Sequence, residues 1–290
     1  MAAAMMTVGS TVIASKTMGA GLAPFTATAC RFAIALCAFI PLMWLTGTPW
    51  PRPSRGDGWL LLAQAGAGSV GYTVLLVLGT QQTTAADAGI LLGTLPAVAA
   101  LLIVLLLGER PTPRLLLALA LATTGVLAVT LASPASGGGA RRSLFGDLLI
   151  LLAVVCESLF ILLNKRLRQP LPPLALATTM SGLGLAVSIV PALLEQHPAL
   201  IGVSASSGWA VIYYALVPTV AGFWLWYAGA ARVTAMEASA FTAIAPIAAV
   251  VLSAMLLDES IRPAQMLGLA LVIVAVGTVA TARSPQPPLE

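Results

Sequence analysis

From Ala88 to Leu107 the chain runs twenty residues without a charge, and nearly all of them are Leu, Ala, Val, Ile or Gly. A helix of that length is about 30 Å long, which matches the hydrocarbon thickness of a bilayer. Runs of this kind recur along the whole chain, which is 59% hydrophobic and 8% charged, where a soluble domain carries about 25% charge. A β-barrel reading fails because the runs are Ala/Leu-rich and do not alternate polar with apolar residues. The composition specifies an all-α integral membrane protein.

Charge, Gly and Pro punctuation divides the chain into ten expected transmembrane helices, at roughly 2–16, 24–45, 59–80, 87–107, 114–132, 144–164, 173–194, 209–231, 238–257 and 264–282. The first leaves only about 22 Å of helix before Lys16, so the expected start lies upstream or the helix is trimmed; it lacks the basic region of a signal peptide. Residues 133–143, Ser-Pro-Ala-Ser-Gly-Gly-Gly-Ala-Arg-Arg-Ser, read as a flexible linker. On either side of it the sequence echoes itself at a spacing of 150. Asp87, Pro96, Glu109 and Pro113 are answered by Glu237, Pro246, Glu259 and Pro263, and Gly79 by Gly229. Lys16 and Pro24 recur as Lys165 and Pro173, 149 residues on. Chance matching of Leu/Ala-rich sequence is the competing explanation, against which stand the gapless punctuating positions. The expected organisation is a first five-helix repeat (1–132), the linker (133–143), a second five-helix repeat (144–283) and a Pro-rich, disordered tail (284–290). An odd number of crossings per half inverts the second relative to the first, a plan common among secondary transporters.

Lys and Arg set the orientation. With the N-terminus inside, Arg52, Arg55, Arg110, Arg114, Lys165, Arg166, Arg168, Arg232 and Arg283 fall inside, and Lys16, Arg141, Arg142 and Arg262 outside. Both termini are then cytoplasmic. Basic residues scattered over segment ends give no nucleic-acid surface, despite a net charge of +4. The sequence holds no P-loop, no Gly-x-Ser-x-Gly elbow and no metal-ligand spacing, so neither an enzyme activity nor a metal or cofactor is expected. Cys30, Cys37 and Cys156 read as small packing residues, and His197 lies in a polar loop.

The polar residues inside apolar runs are the candidates for function. Glu157 lies well within the sixth segment, where a charge is expensive unless it faces a cavity or a partner. It could couple protons to transport or hold an ammonium group; the alternative is a structural carboxyl near the inner helix end. Arg31 could bind a carboxylate bidentately, though a snorkelling or helix-locking arginine is the favoured reading. Thr7, Ser10, Thr11, Ala14 and Ser15 form a small, mildly polar stripe that either lines a water path or packs closely. Pro96 and Pro246 each free the carbonyl four residues earlier, of Leu92 and Thr242, and are expected to kink their helices. Tyr72 is the best cavity candidate among the aromatics, because its hydroxyl needs a partner; Gly66, Gly68 and Gly71 before it suggest close helix approach. Phe223, Trp224, Trp226 and Tyr227 read as an aromatic belt more than a binding wall, and Trp44, Trp50, Trp59 and Trp209 as interfacial anchors.

Two inverted halves, Lys16, Arg31, the Pro96 helix ending in Gly108-Glu109-Arg110 and its echo ending in Asp258-Glu259 together resemble the drug/metabolite transporter superfamily, in its ten-helix EamA-type branch. The resemblance implies a basket-like bundle around a central cavity, lined by segments one, three, four, six, eight and nine. It also implies alternating access in the bacterial cytoplasmic (inner) membrane. By position it marks Ser10, Thr11, Tyr72, Thr94, Pro96, Glu157, Trp224, Thr242 and Pro246 as substrate-binding or cavity residues, with Glu157 the proton-coupling candidate. Glu157 stands where many members carry tryptophan, and the first helix lacks the N-terminal half the family has. The implied function is export of small amphipathic metabolites, with aromatic or hydrophobic amino acids leading. Partners are the substrate, the lipid bilayer and, where Glu157 couples them, protons. A polyspecific drug or organic-cation exporter is the alternative, and a non-transporting scaffold or sensor a more remote one. Small residues on segments five and ten (Ala118, Ala122, Gly268) fit a monomer or a homodimer.

Overall fold

A computed structural model describes residues 2–51, 53–107, 112–131, 139–168, 171–195, 203–230, 241 and 244–280. Among them are helices and no strands. The helices are α1 (Ala2–Gly19), α2 (Pro24–Leu45), α3 (Arg55–Thr80), α4 (Ala85–Leu92), α5 (Leu95–Leu107), α6 (Pro113–Leu131), α7 (Gly139–Lys165), α8 (Pro173–Leu194), α9 (205–230), α10 (Ile244–Leu256) and α11 (Pro263–Ala280). Lipid offers no hydrogen bonds to a backbone, so each crossing must close its own ladder. Five of these helices are long and apolar enough to cross a membrane, or six if α4 and α5 form one bent span.

The helix starts are legible in local chemistry. α2, α6, α8 and α11 begin on proline, whose missing N–H costs nothing at that position. The side chains of Ser54, Thr84 and Ser204 cap α3, α4 and α9 by accepting the N–H of Asp57, Asp87 and Ser207. α1 runs to Gly19, three residues past the expected end, and α7 starts at Gly139, so the last five residues of the expected linker are helical. The remaining linker residues, Glu109, Arg110, Glu237 and the expected C-terminal tail lie outside the described residues.

Two features differ from the sequence expectation. α3 and α9 each contain a π-helical segment, Gln64–Gly71 and Ala215–Ala221, and Thr219 donates its hydroxyl to the Tyr214 carbonyl five residues earlier. In a helix apolar all round, hydrophobic period cannot tell 3.6 from a wider turn. The break near Pro96 falls a turn earlier than the proline itself. α4 stops at Leu92, α5 resumes at Leu95 and the two are bent by 40°. The Pro96 ring would collide with the carbonyl of Leu92, so the helix yields there, and the Thr94 hydroxyl donates to the Leu91 carbonyl at 2.7 Å. Pro246 sits in the first turn of α10. The Thr242 carbonyl, and with it the expected second kink, lies outside the described residues.

Packing is pairwise. α6 lies against α11, α2 against α8, α10 against α4, α1 against α10 and the start of α9, and α7 against the end of α3 and against α5. Gly9 shows how closely: a Cβ there would meet the Ala245 carbonyl and lie 2.8 Å from the Ala248 Cβ. Small residues permit this approach where van der Waals contact is the main attraction between helices.

Candidate functional site

The helices enclose a cavity of about 130 Å³. α1 contributes Ala4, Met5, Val8 and Thr11, and α3 contributes Gly68, Ser69, Tyr72 and Thr73. Leu92, Leu95 and Pro96 come from the α4–α5 bend, and Val154, Glu157, Phe160 and Ile161 from α7. α9 supplies Tyr214, Pro218, Thr219, Gly222, Phe223 and Trp226, and α10 supplies Ala245. The walls thus come from the first, third, fourth, sixth, eighth and ninth apolar segments, and α2 adds Arg31.

Arg31 is not snorkelling. It is 4% exposed, held among α2, α3 and α9. Its Nη1 donates to Thr219 Oγ1 at 3.1 Å and its Nη2 to Thr73 Oγ1 at 2.9 Å, tying α2 to α9 and α3. Its guanidinium carbon lies 4.1 Å from the Phe32 ring centroid and 4.5 Å from that of Tyr214, within cation–π range. The helix-locking part of the sequence reading therefore fits the geometry, and the cavity position adds to it. Tyr214, Thr73 and Thr219 were not singled out from sequence. A lone arginine in an apolar run was the signal that something polar had to surround it.

Tyr72 and Thr11 also line the cavity and meet 3.2 Å apart. The Thr11 hydroxyl already donates to the Val8 carbonyl at 2.6 Å, so the Tyr72 hydroxyl is the donor between them. Glu157 lines the same space and makes no hydrogen bond or ion pair among the described residues. Phe160 and Phe223 stack with centroids 6.2 Å apart, and Gly68 leaves the room for the Phe160 ring.

Other sequence candidates lie elsewhere. Ser10 is buried, accepts from the Tyr213 hydroxyl at 2.9 Å and is not a lining residue. In the α1 stripe Thr7, Ser10 and Thr11 each donate to a carbonyl within a turn, while the buried Ser15 hydroxyl has no partner among the described residues. Thr94 and Pro246 are buried behind the lining. Trp224 is 59% exposed; helical periodicity points its neighbours Phe223 and Trp226 into the cavity instead, so part of the expected belt is wall. Thr242 lies outside the described residues.

The end of the molecule that carries the C-terminus of α1 is tied by polar contacts. Lys16 Nζ meets Glu259 Oε1 at 2.6 Å. The same carboxylate accepts the N–H groups of Ala85 and Ala86, both at 3.0 Å, capping α4. Arg262 donates to both carboxylate oxygens of the fully buried Asp87, and Gln265 adds a third bond at 2.7 Å. Glu195 caps α2 through Phe25 and Thr26. The cavity is displaced the other way, toward the start of α1 and the end of α9.

Comparison with known proteins places this arrangement. The family model of the EamA-like transporter family matches residues 1–131 and again 144–281. The chain is 35% identical over 274 residues to an uncharacterized transporter, YetK, of Bacillus subtilis (strain 168), covering 94% of this chain and 83% of that protein. It is 26% identical over 228 residues to a probable terminal-alkyne amino-acid exporter of Streptantibioticus cattleyicolor, covering 78% and 74%. A solved crystal structure superposes with a TM-score of 0.66 at 23% identity, covering 96% of this chain and 94% of its own, and so shares the fold. Matched in both halves by one family model, this multi-pass membrane protein belongs to the EamA-like transporter family.

Proposed function

We propose that the chain is a secondary transporter that exports small amphipathic metabolites across the bacterial cytoplasmic membrane by alternating access. Amino acids with aromatic or hydrophobic side chains are its leading substrates. The observation that carries this reading is the cavity itself: an apolar pocket between the helices with a few convergent polar groups, Thr11, Tyr72, Arg31 and Glu157. The amino-acid class is also supported by the relative whose name assigns it an amino-acid substrate. The two halves act as inverted repeats of five helices each. In support, the π-helical segments of α3 and α9 fall at the 150-residue spacing, as do Pro41 in α2 and Pro191 in α8. Equivalent segments also pack on each other, α2 on α8 and α6 on α11. Both termini lie in the cytoplasm by the charge count, which turns the cavity toward the cytoplasmic side.

The test is counterflow of labelled phenylalanine and leucine into proteoliposomes preloaded with the same amino acid. Saturable uptake above that of empty liposomes is the expected result. If Glu157 couples protons, Glu157→Gln removes the pH dependence of that uptake; unchanged rate and pH dependence would end the coupling role. An organic-cation exporter is the second reading, favoured by the unpartnered Glu157. It gains if tetraphenylphosphonium is transported and amino acids are not.

A further inference from the structure

We propose that the cavity binds the head group of a free α-amino acid between two opposite charges that the protein leaves unpaired, the carboxylate on Arg31 and the ammonium on Glu157. This rests on reading the cavity as the transport site, and adds which atoms recognise the substrate and which way round it lies.

The argument starts from the donors of Arg31. A guanidinium has five N–H groups, and the threonines take one each through Nη1 and Nη2. Both threonine hydroxyls spend their own protons on backbone carbonyls, Thr73 on Ser69 and Thr219 on Tyr214. They can only accept from Arg31, so they bring it no negative charge. Arg31 Nε is buried and has no partner. The Phe32 ring offers only a quadrupole, and the Tyr214 ring adds to its own quadrupole a neutral phenolic oxygen, so neither brings a negative charge. No carboxylate of the described residues forms an ion pair with this cation, which is 96% buried. A buried guanidinium on a cavity wall with N–H groups to spare is a carboxylate site.

Glu157 supplies the opposite pole. It lines the same cavity from α7 and forms no bond with Arg31 or with any other described residue. Two groups of complementary chemistry that border one cavity without closing on each other are held apart by the scaffold. A ligand with both complementary charges on one carbon bridges them, and an α-amino acid is that ligand. Its side chain then extends along Met5, Val8, Leu95, Phe160, Phe223 and Trp226, which are apolar but for the Trp226 indole N–H. A carboxylic acid alone would leave Glu157 facing bare carbon, and an amine alone would leave Arg31 so.

The experiment measures binding to the full chain in lipid nanodiscs. The probes are phenylalanine, phenylalanine amide (ammonium only), N-acetylphenylalanine (carboxylate only) and tetraphenylphosphonium. Phenylalanine is expected to bind tighter than either single-charge analogue by about tenfold or more. Arg31→Gln is expected to weaken phenylalanine by about tenfold or more while changing the amide by less than about threefold. Glu157→Gln is expected to do the same to phenylalanine while sparing N-acetylphenylalanine. Arg31→Lys replaces Arg31→Gln if the latter does not fold, because one nitrogen cannot serve two threonines and a carboxylate. Equal weakening of phenylalanine and its amide by either Arg31 variant would show a purely structural arginine and overturn the proposal. So would equal affinities of wild type for all three phenylalanine probes. Binding and counterflow of tetraphenylphosphonium alone overturn the zwitterion site but leave a transporter. Absence of counterflow for every probe overturns the transport reading beneath it.

Discussion

A single hydroxyl shows how little polar chemistry this interior holds in reserve. Tyr72 donates to Thr11, whose own proton is committed to Val8, so Tyr72→Phe removes one hydrogen bond and leaves no donor stranded. The expected cost is about 1 kcal/mol, read as a small fall in the detergent melting temperature, while the apolar ring surface in the cavity is unchanged. Thr11→Val takes away the acceptor and strands the Tyr72 hydroxyl, so it is expected to cost more, about 1–3 kcal/mol. A Tyr72→Phe variant less stable than Thr11→Val would contradict this assignment of donor and acceptor. Individual polar residues were also the most legible part of the site, because in an apolar run each one stands out. Glu157, Tyr72 and Thr11 were visible for that reason. Trp224 was misplaced because four aromatics in five positions circle the helix, and sequence alone does not say which of them face inward.

Elements are defined here by where backbones touch. Gly9 brings α1 onto α10, and Gly68 makes room for the Phe160 ring. Gly9→Val is expected to force those two helices apart at a cost of about 1–3 kcal/mol, seen as a lower melting temperature with helicity retained. Gly182, beside which a side chain would meet nothing within 4 Å, serves as the control: Gly182→Ala should leave the melting temperature unchanged or raise it slightly. Equal losses at both glycines would mean that helix propensity, and not close approach, explains the first. Starts and stops of helices were readable from proline and capping residues, since those are local. The π-helical segments and the early break at Leu92 were not, because both depend on how a uniformly apolar helix is gripped by its neighbours. Thr73 and Thr219 reach Arg31 from just beyond one π segment and from within the other. The wider turn thus sets the hydroxyl positions that hold the guanidinium.

At the scale of the whole molecule, composition carried the all-helical, membrane-spanning character, since a bilayer leaves helices as the plain solution. What no spacing could reveal is where the ion pairs between described residues lie. Both ion pairs between described residues, Lys16–Glu259 and Arg262–Asp87, lie at the end where α1 finishes, together with the carboxylate caps on α2 and α4. If the protein is a carrier, the conformation open at that end must give these up, so the empty protein rests with its site turned the other way. Such a bias cannot drive net flow by itself, because at equilibrium the ratio of maximal rate to half-saturation must be equal in the two directions. It appears instead as unequal half-saturation concentrations on the two faces, each offset by its own maximal rate. Lys16 and Glu259 are partly exposed, so their pair is modest, but Glu259 is also a helix cap. Glu259→Gln is therefore expected to bring the two half-saturation values closer by about fivefold, measured by zero-trans uptake into sided proteoliposomes. The wild-type protein would then be a rectifier only in its kinetics, with its asymmetry written in salt bridges and its direction left to the gradient.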